Sequence, residues 1–154
     1  MDRPSLRLTS VTIGTDRPGD LAAFYARLLG GRVTADDPPA PTPARTTRPE
    51  RGPSTSALDE DRTQSTGAGL GWAQVVVPGG FTLNLEGEAR FRRVVWPAVD
   101  GGQNATQHLD VQVEDLAAAT AWALACGAEL AAVQPQDDVR VLIDPSGHPF
   151  CLFT

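Results

Sequence analysis

His108 and Asp110 lie two residues apart in the segment HLDVQV (108–113), and they are the strongest candidates in the chain for acid–base chemistry. If this segment is a β-strand, both side chains project from the same face, because successive residues of a strand alternate between its faces. A neutral imidazole beside a carboxylate suits proton transfer near neutral pH. The alternative is a histidine that is simply hydrogen-bonded within a polar sheet face. We therefore regard His108 and Asp110 as candidate catalytic residues and leave that alternative open.

Cys151 is the next candidate, in the C-terminal segment DVRVLIDPSGHPFCLF (138–153). It would be a nucleophile if His108 or Arg140 stabilised its thiolate. The alternative is that Cys151 serves as a small apolar side chain on a central strand. His148, in the turn of the same segment, is expected to be solvated. Cys126, at the end of an apolar helix, is expected to pack.

The composition excludes several classes of function. The chain has 154 residues and a formal net charge of −6, and all of its 13 basic residues are arginines. An acidic chain without a basic stripe is unsuited to nucleic acid. The polar N-terminal segment and the absence of an apolar run of about 20 residues argue against a secretion signal or a membrane span. Two cysteines are too few for the disulfide framework of a small secreted protein. Together with the length, these observations lead us to expect one cytoplasmic domain over 1–154, with no nucleic-acid or membrane partner.

Two stretches predict the same order of strand and helix. The segments at 8–15 and 108–113 alternate between apolar and polar residues, which is typical of a strand buried on one side. After each comes an apolar helical stripe with a candidate N-cap, Asp16 in the first case and Asp115 in the second. Three further short strands follow each helix, so that both halves are predicted to be β-α-β-β-β units. Residues 6–35 and 70–88 form the first unit, 89–105 a connector, and 106–154 the second unit.

Residues 36–69 interrupt the first unit. This segment is rich in Pro, Thr, Ser, Arg and Gly and has no apolar periodicity. Such a composition cannot bury enough surface to offset the entropy of ordering. We predict a flexible insertion, with a mobile lid over a pocket as the alternative.

The duplicated pattern resembles the vicinal oxygen chelate (VOC) superfamily, which includes glyoxalase I, bleomycin-resistance proteins and extradiol dioxygenases. Three segments carry the resemblance: SVTIGTDRPGDLAAFYARLLGGRV, QHLDVQVEDLAAATAWALACGAEL and IDPSGHPFCLF. It implies an α+β fold in which two tandem βαβββ modules form a cupped mixed sheet with helices on the outside. It also implies a ligand cleft inside the cup.

The alternation of the strands indicates which side chains face that cup. The polar, cup-facing set comprises Ser10, Thr12, Gln74, Asn84, Glu86, His108, Asp110, Gln112, Arg140 and Cys151. Trp72 shares a strand face with Gln74, and Trp96 lies on the connector. Both tryptophans are candidate walls for a planar or apolar ligand, although ordinary packing explains them equally well.

The resemblance also implies where a metal would bind. The usual ligands of the superfamily are a His on the first strand of a module and a Glu on the last. Here these positions hold Ser10 and Asn84 in the first module, and His108 and Cys151 in the second, so that one usual ligand remains. We therefore expect no metal cofactor. If a divalent ion does bind, His108 and Cys151 would hold it together with Glu86 or Asp110.

Two functions follow as expectations. The first is a small-molecule binding protein, akin to the bleomycin-resistance branch, that sequesters an aromatic or apolar metabolite or antibiotic without the usual metal. The alternative is an enzyme with lyase, isomerase or dioxygenase chemistry, in which His108 acts as a base or as part of an atypical metal site. We also expect a homodimer, since paired modules of this superfamily often assemble across chains. A third functional hypothesis is a dimeric scaffold whose cleft is vestigial.

Overall fold

The computed structural model describes residues 4–39 and 69–154, which form two β-α-β-β-β halves. The first half contains β1 (Ser10–Thr15), α1 (Pro18–Leu29), β2 (Arg32–Asp37), β3 (Trp72–Val76) and β4 (Thr82–Gly87). The second contains β5 (Leu109–Gln112), α2 (Leu116–Cys126), β6 (Glu129–Leu130), β7 (Val139–Ile143) and β8 (Pro149–Phe153). Strand β2 extends to Asp37, two residues into the predicted 36–69 insertion, and most of that insertion lies outside the described residues.

Each half folds into its own four-stranded mixed sheet. The strand orders are β1-β4-β3-β2 and β5-β8-β7-β6, so the two sheets share one topology. The first strand of each half pairs in parallel with the last, and the other pairs are antiparallel. The predicted α+β fold of two tandem βαβββ modules is confirmed.

Helix α1 packs its apolar stripe against the first sheet. Leu21, Phe24 and Tyr25 are buried against β3 and β4, as the i, i+3, i+4 spacing predicts. The predicted N-cap at Asp16 is wrong, because the cap residue is Arg17 and Pro18 occupies the first helical position. The Thr15 hydroxyl, one residue before Asp16, accepts the Arg17 backbone N–H at 3.1 Å instead.

Helix α2 begins where the sequence indicates but is less deeply buried. The Asp115 carboxylate accepts the Ala118 backbone N–H at 2.9 Å, so the predicted N-cap is confirmed. Leu124, which belongs to the predicted apolar stripe, is exposed. The segment LAAATAWALAC is apolar around most of its circumference, so its pattern does not select one face. In the structure, α2 buries the face that carries Ala123, and it contacts α1, β7 and β8.

A single core joins the two modules. Residues from α1 and from both sheets form one buried cluster, which includes Leu21, Tyr25, Leu85, Leu142 and Phe150. The two helices contact each other, and the Trp122 indole N–H of α2 donates to the Leu28 carbonyl of α1 at 3.1 Å. No helix in the described ranges is long and apolar enough to cross a membrane.

Candidate functional site

The first sheet has one polar face, and most of the predicted cup residues of the first module lie on it. Paired registers join Thr12 to Asn84, Asn84 to Gln74, and Glu86 to Trp72, while Ser10 lies two residues before Thr12 on the same face. The opposite face carries Val11, Ile13, Ala73, Val75, Leu83 and Leu85 and packs in the core.

The carboxamides of this face bind one another. The Gln74 amide donates to Asn84 Oδ1 at 3.0 Å, and the Thr34 hydroxyl donates to Gln74 Oε1 at 2.7 Å. These side chains therefore hold each other in fixed orientations, which leaves them fewer free donors and acceptors for a ligand.

The second sheet brings three of the predicted residues together. Asp110 lies directly beside Cys151 in the parallel register of β5 and β8, and Gln112 follows on the same face. His108 Nε2 lies 3.3 Å from Asp110 Oδ1. The ligand atoms of His108, Asp110 and Cys151 all lie within 4.8 Å of one another. This His108–Asp110–Cys151 group is the only such group of metal-ligating side chains within the described parts of the chain.

The thiol of Cys151 is not activated by this environment. Burial raises its pKa, and the negative charge of Asp110 and a hydrogen bond to Asp110 raise it further. Because only the thiolate is a strong nucleophile, Cys151 at neutral pH behaves as a neutral hydrogen-bond donor to Asp110.

Arg140 lies on the other face of the second sheet. It pairs with Leu152, whereas Cys151 pairs with Val141. Its guanidinium donates to the backbone carbonyls of Asp137 and Val139 at 3.1 and 2.8 Å. The predicted cup position of Arg140 is therefore not observed, because the segment VRVLI is apolar on both faces and the helix-facing set cannot be read from alternation.

A cleft of about 270 Å³ lies between the two modules. The edge of β1, the end of the connector and the start of β8 line it, and both histidines of the chain border it. Its lining comprises Val11, Thr12, Ile13, Gly14, Tyr25, Val94, residues 103–109, His148 and Pro149. Neither Trp72 nor Trp96 belongs to this lining, so the predicted aromatic walls are not part of the cleft.

Next to the cleft, a fully buried carboxylate joins the modules. Asp144 Oδ2 accepts the Tyr25 hydroxyl at 2.9 Å, and Asp144 Oδ1 accepts the backbone N–H groups of Ser146 and His148, each at 2.9 Å. The Thr15 and Ser146 hydroxyls, also buried, lie 2.7 Å apart. Burial raises the pKa of Tyr25 well above its usual range, and the charge of Asp144 and the hydrogen bond to it raise that pKa further.

His148 is not solvated, which corrects the sequence-based expectation. Its side chain is 20% exposed, and its Nδ1 lies 3.1 Å from Asp144 Oδ2. Its ring centroid is 5.8 Å from that of Phe91 in the connector. The sequence signal that was missed is the Asp-Pro-Ser-Gly turn. The side chain of an Asp that opens such a turn accepts backbone N–H groups further along, and the His148 N–H is one of them.

The residues of the His108–Asp110–Cys151 group fit a divalent metal. They offer one nitrogen donor from His108, immediately before β5, and one oxygen and one sulfur donor from β5 and β8, a set that suits zinc. Ligand atoms around a tetrahedral zinc lie roughly 3–4 Å apart, so the observed separations require only small adjustments. Glu86, the third predicted ligand, lies in the first module and is not in this group.

Comparisons with known proteins agree with this fold. The family model of the glyoxalase-like domain matches residues 10–153. A mutant of the fosfomycin resistance protein FosX from Listeria monocytogenes, in complex with Mn(II) and 1S,2S-dihydroxypropylphosphonic acid, is 14% identical, with a TM-score of 0.58 over 96% of this chain and 90% of that one. No curated protein sequence is significantly similar to this chain.

Two further solved structures share the architecture. A glyoxalase family protein from Enterococcus faecalis is 18% identical, with a TM-score of 0.56 and coverage of 96% of this chain and 97% of that one. TioX from Micromonospora sp. ML1 is 16% identical, with a TM-score of 0.52 and coverage of 95% and 96%. At these identities the likeness shows the fold alone. Because the family model spans nearly the whole chain, the chain belongs to the glyoxalase-like domain family of the VOC superfamily.

Proposed function

We propose that this protein binds a small, largely uncharged molecule in the cleft between its two modules. The observation that carries the proposal is the lining of that cleft: both modules contribute to it, and the described residues that line it include no Asp, Glu or Arg. Its volume of about 270 Å³ is slightly below the usual range for ligand sites, which favours a compact ligand.

The available polar groups suit hydrogen bonding to a neutral ligand. Thr12, Gln103 and Gln107 line the cleft, whereas the Asn104 carboxamide is already bonded to the backbone of Val99. Val11, Ile13 and Leu109 supply apolar surface. A ligand that combines an apolar body with one or two hydrogen-bonding groups matches this lining, because buried polar groups cost free energy unless they are paired.

The test is ligand-observed NMR with a panel of small uncharged metabolites and antibiotics. The variant Ala105→Leu adds volume to the cleft wall and should lower the affinity for a ligand of this cleft by roughly tenfold or more. Ala98→Leu is the matched control, since it lies on the exposed part of the same connector and outside the cleft. A ligand that binds both variants equally well would contradict binding in this cleft.

A metal-dependent enzyme is the second candidate, and the His108–Asp110–Cys151 group favours it. These residues would hold the ion, and Cys151 would have to lose its proton to do so. A divalent ion held there would supply Lewis-acid chemistry to a bound substrate.

Elemental analysis of protein purified without a His-tag or a chelator separates the two candidates. For a metal-free binding protein, we expect metal far below one ion per chain. A stoichiometric ion that disappears in His108→Ala but persists in His148→Ala would favour the metalloenzyme. The control is matched because both variants remove one imidazole that borders the same cleft.

A further inference from the structure

The Asp144 carboxylate is held in a fixed orientation inside the protein. It is fully buried and accepts the Tyr25 hydroxyl, two backbone N–H groups and the His148 ring nitrogen Nδ1. The donors come from α1 of one module and from the turn between β7 and β8 of the other. A buried carboxylate with this many partners cannot turn away from His148 without losing several hydrogen bonds.

That contact defines the state of the His148 ring. In a neutral imidazole, the nitrogen that faces a carboxylate carries the hydrogen, and the other nitrogen is left with a free lone pair. Here Nδ1 faces Asp144, so Nε2 is the free acceptor. No described residue bonds to His148 Nε2, and no side-chain nitrogen or oxygen among the described residues is both buried and unpartnered. Among the residues that the structure describes, nothing therefore seals Nε2 off completely, and the ring borders the cleft.

The other histidine lacks this arrangement. His108 faces Asp110 through Nε2, and the two side chains are 49% and 60% exposed. An exposed pair of this kind is screened by solvent and is free to change rotamer, so it fixes neither the tautomer nor the direction of the ring. Of the two imidazoles at the cleft, only His148 is oriented by a buried carboxylate.

We propose that His148 is the catalytic base of the cleft, and that Asp144 and Tyr25 are its positioning residues. His148 Nε2 accepts a proton from an acidic C–H or O–H group of a small uncharged molecule, and the electron pair of the broken bond stays with that molecule. The imidazolium that forms is stabilised by the Asp144 carboxylate and then returns its proton to the product or to water. The inference rests on the proposed binding cleft and assigns it a reaction class, proton transfer.

The first experiment uses nitrobenzisoxazole, an uncharged carbon acid. Removal of its ring C–H proton breaks its N–O bond and releases a coloured cyanophenolate, so the rate reports a base directly. We expect the wild type to be faster than free imidazole at equal concentration. The rate of His148→Gln should be at least about tenfold lower, whereas that of the control Ala98→Leu, on the exposed part of the connector outside the cleft, should stay within about twofold of the wild type. Equal rates for wild type and His148→Gln, a larger loss in His108→Gln, or no gain over free imidazole would each overturn the proposal.

The second experiment needs no ligand and tests whether Asp144 sets the tautomer of His148. Nitrogen-15 NMR resolves the two imidazoles of the chain, and we expect the neutral Nδ1–H tautomer for His148, with a shift towards Nε2–H in Asp144→Asn. A neutral His148 in the Nε2–H form, or a ring protonated on both nitrogens at neutral pH, would overturn the proposal. If Asp144→Asn does not fold, Tyr25→Phe replaces it. Loss of the hydroxyl that donates to Asp144 should keep the Nδ1–H tautomer but lower the rate on nitrobenzisoxazole by at least about threefold, and an unchanged rate would overturn the positioning role of Tyr25. Because the tautomer itself is measured without ligand, it tests the orientation of the ring even if the cleft binds nothing.

Discussion

The Tyr25 hydroxyl links the two modules at the scale of a single residue. It belongs to α1 and donates to Asp144, 119 positions further along the chain. Asp144 in turn contacts His148 at the cleft. This chain of contacts relates the packing of the core directly to the orientation of the candidate base, since a shift of α1 would move the donor that holds the carboxylate.

Tyr25 also provides a prediction about pH. Its pKa is raised in the folded state, first by burial and then by Asp144, so the folded protein holds this proton more tightly than the unfolded chain does. The titration of Tyr25 should therefore make the free energy of unfolding no more pH-dependent near neutral pH, and should make it fall as the pH rises beyond the ordinary tyrosine range. Ultraviolet titration of phenolate reports this residue alone, because it is the only tyrosine in the chain.

The expected result is a phenolate signal that appears in the native protein only at higher pH than in protein unfolded by urea. The urea-unfolded sample is the control for the ordinary tyrosine pKa. If the native and unfolded samples titrate together, Tyr25 is not buried against Asp144 as described.

At the scale of the element, the N-caps of the two helices differ in how well the local sequence predicts them. Asp115 caps α2 through the Ala118 N–H, whereas Asp16 does not cap α1. We expect Asp115→Ala to lower the free energy of unfolding by about 1 kcal/mol, because it leaves a backbone donor at the helix start without its partner. Asp16→Ala, the matched control, should lower the free energy of unfolding by clearly less. Urea denaturation of both variants measures the difference, and equal losses would contradict the assignment of the caps.

The edges of the sheets raise the question of assembly at the scale of the whole molecule. In the described part of the chain, β1 and β5 each pair on one side only. Ahead of β1, Leu6 and Leu8 are 75% and 83% exposed. Open strand edges and exposed apolar side chains favour association with another chain. We therefore expect a homodimer.

Native mass spectrometry tests this expectation. The main species should have twice the mass of the chain, and Leu8→Glu should shift it towards the monomer. Leu124→Glu is the control, because it adds the same charge at another exposed leucine, on α2. A wild-type spectrum that contains only monomer would count against the dimer.

The strand faces of the first module could be predicted residue by residue. Thr12, Gln74 and Asn84 alternate with apolar neighbours, and the register places them on one face. Arg140 could not be placed in this way, since its neighbours are apolar on both sides. His148 could not be placed either, because a turn residue has no periodic pattern and its burial depends on Phe91 and Asp144.

By itself, the sequence determined the two modules, the order of their strands and helices, and the residues that share the polar face of the first sheet. Alternation, helical spacing and Gly- or Pro-containing turns are local signals, and local signals suffice for these features. Only the tertiary structure decided that Tyr25, Asp144 and His148 meet beside a cleft. The physical reason is that this contact depends on how α1 of one module packs against the β7–β8 turn of the other, and no local pattern encodes that packing.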